Sequence, residues 1–138
     1  MNKKARPGET WTLPHVALVI KGPDLYPDRV TERLCLQPTS SGPPGVDRWI
    51  PGDTDGRWSL ECDNRITRIF SEQLDHVLSA AESRTEALAS LRSEGHTVML
   101  TVWGYADHDS QLAFSASDIA RIARLNIPLR LSQSLSDR

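Results

Sequence analysis

The sequence predicts an α+β fold: a mostly antiparallel five-stranded sheet with helices packed on one face, in a ferredoxin-like, pseudo-duplicated β-α-β arrangement. Three observations carry that prediction. Short β-branched or alternating runs recur over residues 16–20, 58–62, 97–105, 111–114 and 127–131. Between them, apolar residues at three- and four-residue steps mark helices. Finally, Val30, Leu34 and Leu36 line up with Ile119, Ala123 and Leu125, which suggests a degenerate repeat of strand, helix and following segment.

Each element has a local cause. Val16-Ala-Leu-Val-Ile20 is a β-branched run between Pro14 and Gly22-Pro23, the pattern of a buried central strand. Pro27 then suits the first position of a helix and Asp28 its positive end, with Val30 and Leu34 facing the core. Trp58, Leu60 and Cys62 share one face of a half-buried strand. Residues 66–94 are helical in pattern, but Glu82-Ser-Arg-Thr-Glu86 is polar all round, so two helices meeting near Ser83 are expected, ending at Gly95. In the strand over 97–105, Val98, Leu100 and Val102 oppose Met99, Thr101 and Trp103. Asp107-His-Asp-Ser110 makes a turn, and Gln111 to Phe114 is expected to return as its hairpin partner. Ser115-Ala-Ser-Asp118 is a capping-box pattern opening a helix that buries Ile119, Ile122 and Ala123. Asn126 suits a left-handed helix stop, before a last strand with Ile127, Leu129 and Leu131 on one side.

The 138 residues have a formal charge of −2, with 38% hydrophobic and 25% charged residues, the composition of one globular domain. A chain of this size buries roughly 68% of its unfolded surface and needs no metal or disulfide to fold. The expected division is a loose segment over residues 1–14, one α+β domain over 15–133 and a loose tail over 134–138. Near-neutral charge disfavours a nucleic-acid groove. No apolar run approaches the roughly 20 residues of a membrane helix, and Met1 to Pro14 lacks the apolar stretch of a signal peptide. The expected location is the cytoplasm, with Cys35 and Cys62 as reduced thiols in half-buried core positions.

The chemistry-bearing candidates fall in two places. Residues 38–56 hold four prolines and four glycines, and loops of this length are either functional or disordered. Trp49 and Ile50 add apolar surface that disorder does not need, so Arg48, Trp49, Ile50, Asp53 and Asp55 are the candidate partner-binding residues. The second place is the polar turn Asp107, His108 and Asp109, two carboxylates around an imidazole and thus raw material for acid/base or metal chemistry. No metal-ligand spacing, cofactor motif, Gly-rich phosphate loop or nucleophile elbow is present. Arg121, Arg124 and Arg130 cluster near the end of the chain, and arginine favours planar contacts with carboxylates. The leading expectation is a non-enzymatic module that binds another protein, with a small enzyme or ligand-binding domain using the turn as the alternative.

Several motifs carry a resemblance: Gly22-Pro-Asp-Leu-Tyr-Pro27, Val30-Thr31, Leu34-Cys-Leu-Gln-Pro-Thr39 and Gly56-Arg-Trp-Ser-Leu60. In these the chain resembles the small bacterial proteins grouped as domain of unknown function 4279, over roughly residues 16–131. The resemblance implies a cytoplasmic protein with no established activity and no catalytic residue to carry over. It is compatible with a role as an immunity factor toward a toxin. After the first helix, where that pattern leads one to expect glycine, this chain has Cys35.

Overall fold

In a computed structural model, which describes residues 11–45, 54–106 and 109–135, the chain runs β1 (Thr12–Gly22), α1 (Pro27–Leu34), β2 (Ser40–Gly42), β3 (Gly56–Cys62), α2 (Phe70–Glu82), α3 (Thr85–Ser93), β4 (Thr97–Ala106), α4 (Ala116–Leu125) and β5 (Leu129–Leu135). The apolar run at Val16 to Ile20 is the middle of a longer strand, which starts at Thr12 and carries a bulge between Thr12 and His15. All five strands form one sheet in the order β2-β3-β1-β4-β5.

The sheet is mixed rather than mostly antiparallel. β1 is antiparallel to both β3 and β4, and β2 to β3, but β4 and β5 run parallel. The reason is the intervening helix: α4 returns the chain along the sheet, so β5 sets off in the same direction as β4. The two β-α-β segments also differ. β1 and β3, joined through α1, are antiparallel neighbours, whereas β4 and β5, joined through α4, are parallel ones, so the ferredoxin-like duplication expected from sequence is not seen in the pairing.

Five strands were expected and five are present among the described residues, but one is different. Gln111 to Phe114 is no hairpin partner, because β1 and β5 already occupy both edges of β4; Leu112 and Phe114 pack instead against the core, Phe114 edge-on to Phe70 with ring centroids 5.3 Å apart. The fifth strand is β2, inside the Pro/Gly-rich stretch. Its polar Ser40-Ser41-Gly42 extends the outer edge of β3, where Thr39 N–H also donates to the Ser59 carbonyl at 2.7 Å.

All four helices lie over one face. Val16, Leu18 and Ile20 of β1, Trp58 and Cys62 of β3, and Val98, Leu100 and Val102 of β4 form the core with Val30 and Leu34 of α1, Leu74, Val77 and Leu78 of α2, Leu88 and Leu91 of α3, and Ile122 and Leu125 of α4. Trp58 is fully buried, and its indole N–H donates to Thr31 Oγ1 at 3.0 Å, fastening α1 to β3. Burial pushes the Cys62 thiol up, which keeps it inert. Cys35, by contrast, is exposed. Ile119 and Ala123, expected to be buried, face outward, since the core-facing stripe of α4 runs through Ile122 and Leu125. Among the described residues no helix is long and apolar enough to cross a membrane.

The helix ends are set by side chains. Ser115 Oγ accepts from Asp118 N–H at 3.0 Å and Asn126 adopts φ 57° at the other end of α4, both as the pattern predicts. Two helices do meet near Ser83, where Arg84 donates from Nε to the Leu34 carbonyl at 2.7 Å and from a terminal nitrogen to the Ala80 carbonyl at 3.0 Å. Orphan carbonyls of α1 and α2 thus share one guanidinium. At Gly56 a side chain has no room, for a Cβ there would collide with the Leu25 carbonyl.

Cys35 stops α1 in the left-handed conformation at φ 55°, a position that favours glycine. Its left-handed strain is about 1 kcal/mol, partly offset by the greater freedom of glycine in the unfolded chain. Cys35→Gly should therefore raise stability by up to roughly 0.6 kcal/mol, while Cys35→Ala stays within about 0.5 kcal/mol of the parent. Urea unfolding checks this, and a destabilised Cys35→Gly variant would refute it.

Candidate functional site

Strand alternation that sends Val16, Leu18 and Ile20 into the core sends His15, Ala17, Val19 and Lys21 to the opposite face. Register then fixes their neighbours. Ala17 lies between Glu61 and Thr101, Val19 between Ser59 and Met99, and His15 beside Trp103. Ser40 extends the Ser59 row, and Arg130 and Ser132 extend those of Thr101 and Trp103. Among the described residues, no helix covers this face.

Its centre is a depression of about 180 Å³ lined by His15, Ala17, Arg57, Glu61, Thr101 and Trp103. Ala17 is the cause of the depression, a methyl group between two long neighbours. Into the space leans the Glu61 carboxylate, which accepts from three donors: His15 Nε2 at 2.9 Å, Ser59 Oγ at 2.6 Å and Ser40 Oγ at 3.1 Å. Because a carboxylate only accepts, Nε2 carries the imidazole proton. Burial pushes the Glu61 carboxyl up, but the hydrogen bonds from Ser59 and Ser40 and the nearby imidazole outweigh it and hold the group below its ordinary range. Beside the depression Trp103 meets Tyr105 edge-on, with ring centroids 4.9 Å apart.

The order of this network decides its chemistry. A nucleophilic serine needs an imidazole to take its proton, with a carboxylate behind the imidazole. Here the carboxylate stands in the middle, between imidazole and hydroxyl. Ser59 is 1% exposed and donates to a group whose affinity for protons is lowered. The arrangement anchors β2, β3 and β1 to one another, and Tyr105, Arg57 and Arg130 are exposed on the same face, with Trp103 half-buried beside them.

Of the two candidate segments read from sequence, the described residues Asp55 and Asp109 lie at opposite ends of the sheet. Asp55 precedes Gly56, which pairs with Gly22 at the end of β1, whereas Asp109 follows β4, whose Tyr105 pairs with Thr12 at the start of β1. Arg48, Trp49, Ile50, Asp53, Asp107 and His108 lie outside the described residues. At the flanks of the first segment Gly45 N–H donates to the Thr54 carbonyl at 3.0 Å. Of the three late arginines, Arg121 and Arg130 separate. Arg121 is held by Glu82, Asp75 and Ser79 of α2, with its Nε to Glu82 at 2.7 Å, while Arg130 stands on the other face of the sheet.

Comparison with known proteins agrees with the motifs. The family model described as "Domain of unknown function (DUF4279)" matches residues 9–136, nearly the whole chain. The chain belongs to the DUF4279 family. No curated protein and no solved structure matches it.

His15, Ser59 and Glu61 were not singled out by the sequence, though a signal exists: Arg57, Ser59 and Glu61 are the polar partners in the alternation that buries Trp58 and Cys62. A carboxyl held low in the folded state stabilises it above the unfolded value, near pH 4.5, and this contribution is lost as pH falls through the lower folded value. Glu61→Gln should therefore lose stability at pH 7 and show a smaller drop between pH 7 and pH 3 than the parent does. Urea midpoints at the two pH values measure both, and an unchanged drop would show that Glu61 is not held low.

Proposed function

We propose that this protein is a non-enzymatic binding module that receives an acidic, partly apolar segment of another protein on the open face of its sheet. One observation carries the reading: among the described residues five strands present a face with no helix over it, and that face holds an aromatic pair beside exposed arginines. Trp103 and Tyr105 supply flat, rigid contact area with few rotamers to lose. Arg57 and Arg130 supply planar donors for carboxylates, and the one acid of their rows, Glu61, is engaged by His15, Ser59 and Ser40. The face is thus more positive than a chain of net charge −2 as a whole.

Arg48, Trp49, Ile50, Asp53 and Asp55 belong to the same proposal on their sequence chemistry, an aromatic and an aliphatic side chain beside an arginine and two acids. A cytoplasmic, reducing setting suits two free cysteines, one of them exposed. The enzyme reading is disfavoured by the Ser-Glu-His order of the polar network.

Selection of displayed random peptides on the parent protein tests the proposal. Enriched sequences should carry Asp or Glu next to an apolar residue. Trp103→Ala and the pair Arg57→Glu with Arg130→Glu should each weaken binding of those peptides at least tenfold, about 1.4 kcal/mol, with unchanged circular dichroism. Selected peptides without acidic residues, equal binding by the variants, or displacement by a single-stranded oligonucleotide would each overturn the reading.

A further inference from the structure

We propose that the protein forms a two-fold symmetric dimer through β5 and the outer side of α4, a second copy completing the sheet at its open edge. β5 is an edge strand. Leu100 N–H donates to the Pro128 carbonyl at 2.9 Å and Leu129 sits opposite Leu100. In a parallel ladder that phase turns the backbone groups of Arg130, Ser132 and Ser134 toward β4 and those of Leu129, Leu131 and Gln133 outward. Monomeric proteins guard such edges with lysine, proline, bulges or brevity. β5 has seven residues, one charge and no proline.

Beside this edge lies an apolar strip. Leu129 is 38% exposed, Leu131 49% and Ile119 of α4 56%. Ile119 lies about 200° around the helix from Arg121, and Arg121 faces α2. Ile119 consequently points away from α2, toward the free edge of the sheet, with exposed Ala116 and Ala123 on the same side. The strip therefore spans strand and helix together, and this identifies its occupant. An extended peptide added to β5 would cover the two leucines and leave α4 bare. A second copy related by a two-fold axis sets strand on strand and helix on helix, and the alanines permit close approach.

The register is self-complementary. Antiparallel pairing centred on Ser132 puts the residues with outward backbone groups, Leu131 and Gln133, opposite each other as a hydrogen-bonded pair. It also places Arg130 opposite Ser134, so the only charges of the two strands do not meet. Ser132 then faces its own copy in a non-hydrogen-bonded pair, with Cα atoms about 4.5 Å apart.

Light scattering on the eluted full chain at micromolar concentration should give twice 15.4 kDa. Leu131→Arg and Ile119→Arg should yield monomers of unchanged circular dichroism. Gln133→Pro, which removes only an outward N–H, should weaken the dimer at least tenfold. In a Cys35→Ser background, Ser132→Cys should cross-link on oxidation. Leu131→Cys should not, because two strand steps of about 3.3 Å separate the copies of residue 131 beyond disulfide reach. A monomeric parent, a dimer indifferent to both Leu131→Arg and Gln133→Pro, or equal cross-linking at 131 and 132 would each overturn the proposal.

Discussion

Both edges of β1 are hydrogen-bonded to antiparallel neighbours while helices cover only one of its faces, and the molecule is organised around that asymmetry. On the covered side Val16, Leu18 and Ile20 are fully buried, each contributing on the order of 1.5–3 kcal/mol. On the other side the same strand offers His15, Ala17 and Val19 to a half-wet surface. Because the side-chain period is two, a slip of one residue in either ladder would send the core residues to water and the imidazole into the core. The register that makes the core therefore also makes the Glu61 network, and neither exists without the other.

Arginine holds the covered side together. Of the 16 basic residues 13 are arginine, and the structure uses the guanidinium where an ammonium would not serve. Arg84 reaches carbonyls of two helices at once. Arg121 forks onto both oxygens of Glu82 and still reaches Asp75, holding the Glu82 carboxyl below its ordinary range and fastening α4 to α2. Arg57 and Arg130, by contrast, stand exposed on the uncovered face.

Much of this was legible where cause and effect are close in sequence. Pro27 opens α1, Ser115 and Asn126 bound α4, and the polar stretch around Ser83 separates α2 from α3. Pairing was not legible, because it depends on which edges are free. Gln111 to Phe114 alternates like a strand but finds β4 already paired on both sides, whereas Ser40 to Gly42 lacks strand-forming residues and pairs because β3 has an open edge. The same limit hid the site. Arg57, Ser59 and Glu61 are visible as a polar face, and His15 as one histidine among four, but only the antiparallel register of β1 with β3 brings the imidazole to the carboxylate.

The proposed dimer changes what the open face can read. Pairing β5 with its copy continues each sheet into the other, so two uncovered faces become one surface of ten strands. Arg130 then no longer marks a rim. With residue 130 opposite residue 134, the two arginines stand four strand steps apart along the seam, about 13 Å at roughly 3.3 Å per residue, and flank the two-fold axis on the uncovered side. The aromatic pairs lie farther out, with the two β5 strands between them, on either side of that cationic centre. A partner with two acidic segments would engage both halves with a gain set by effective concentration rather than by new contacts. Two surfaces argued from different observations, an uncovered face and an unguarded edge, thus combine into one geometry that favours a symmetric acidic partner over a single peptide.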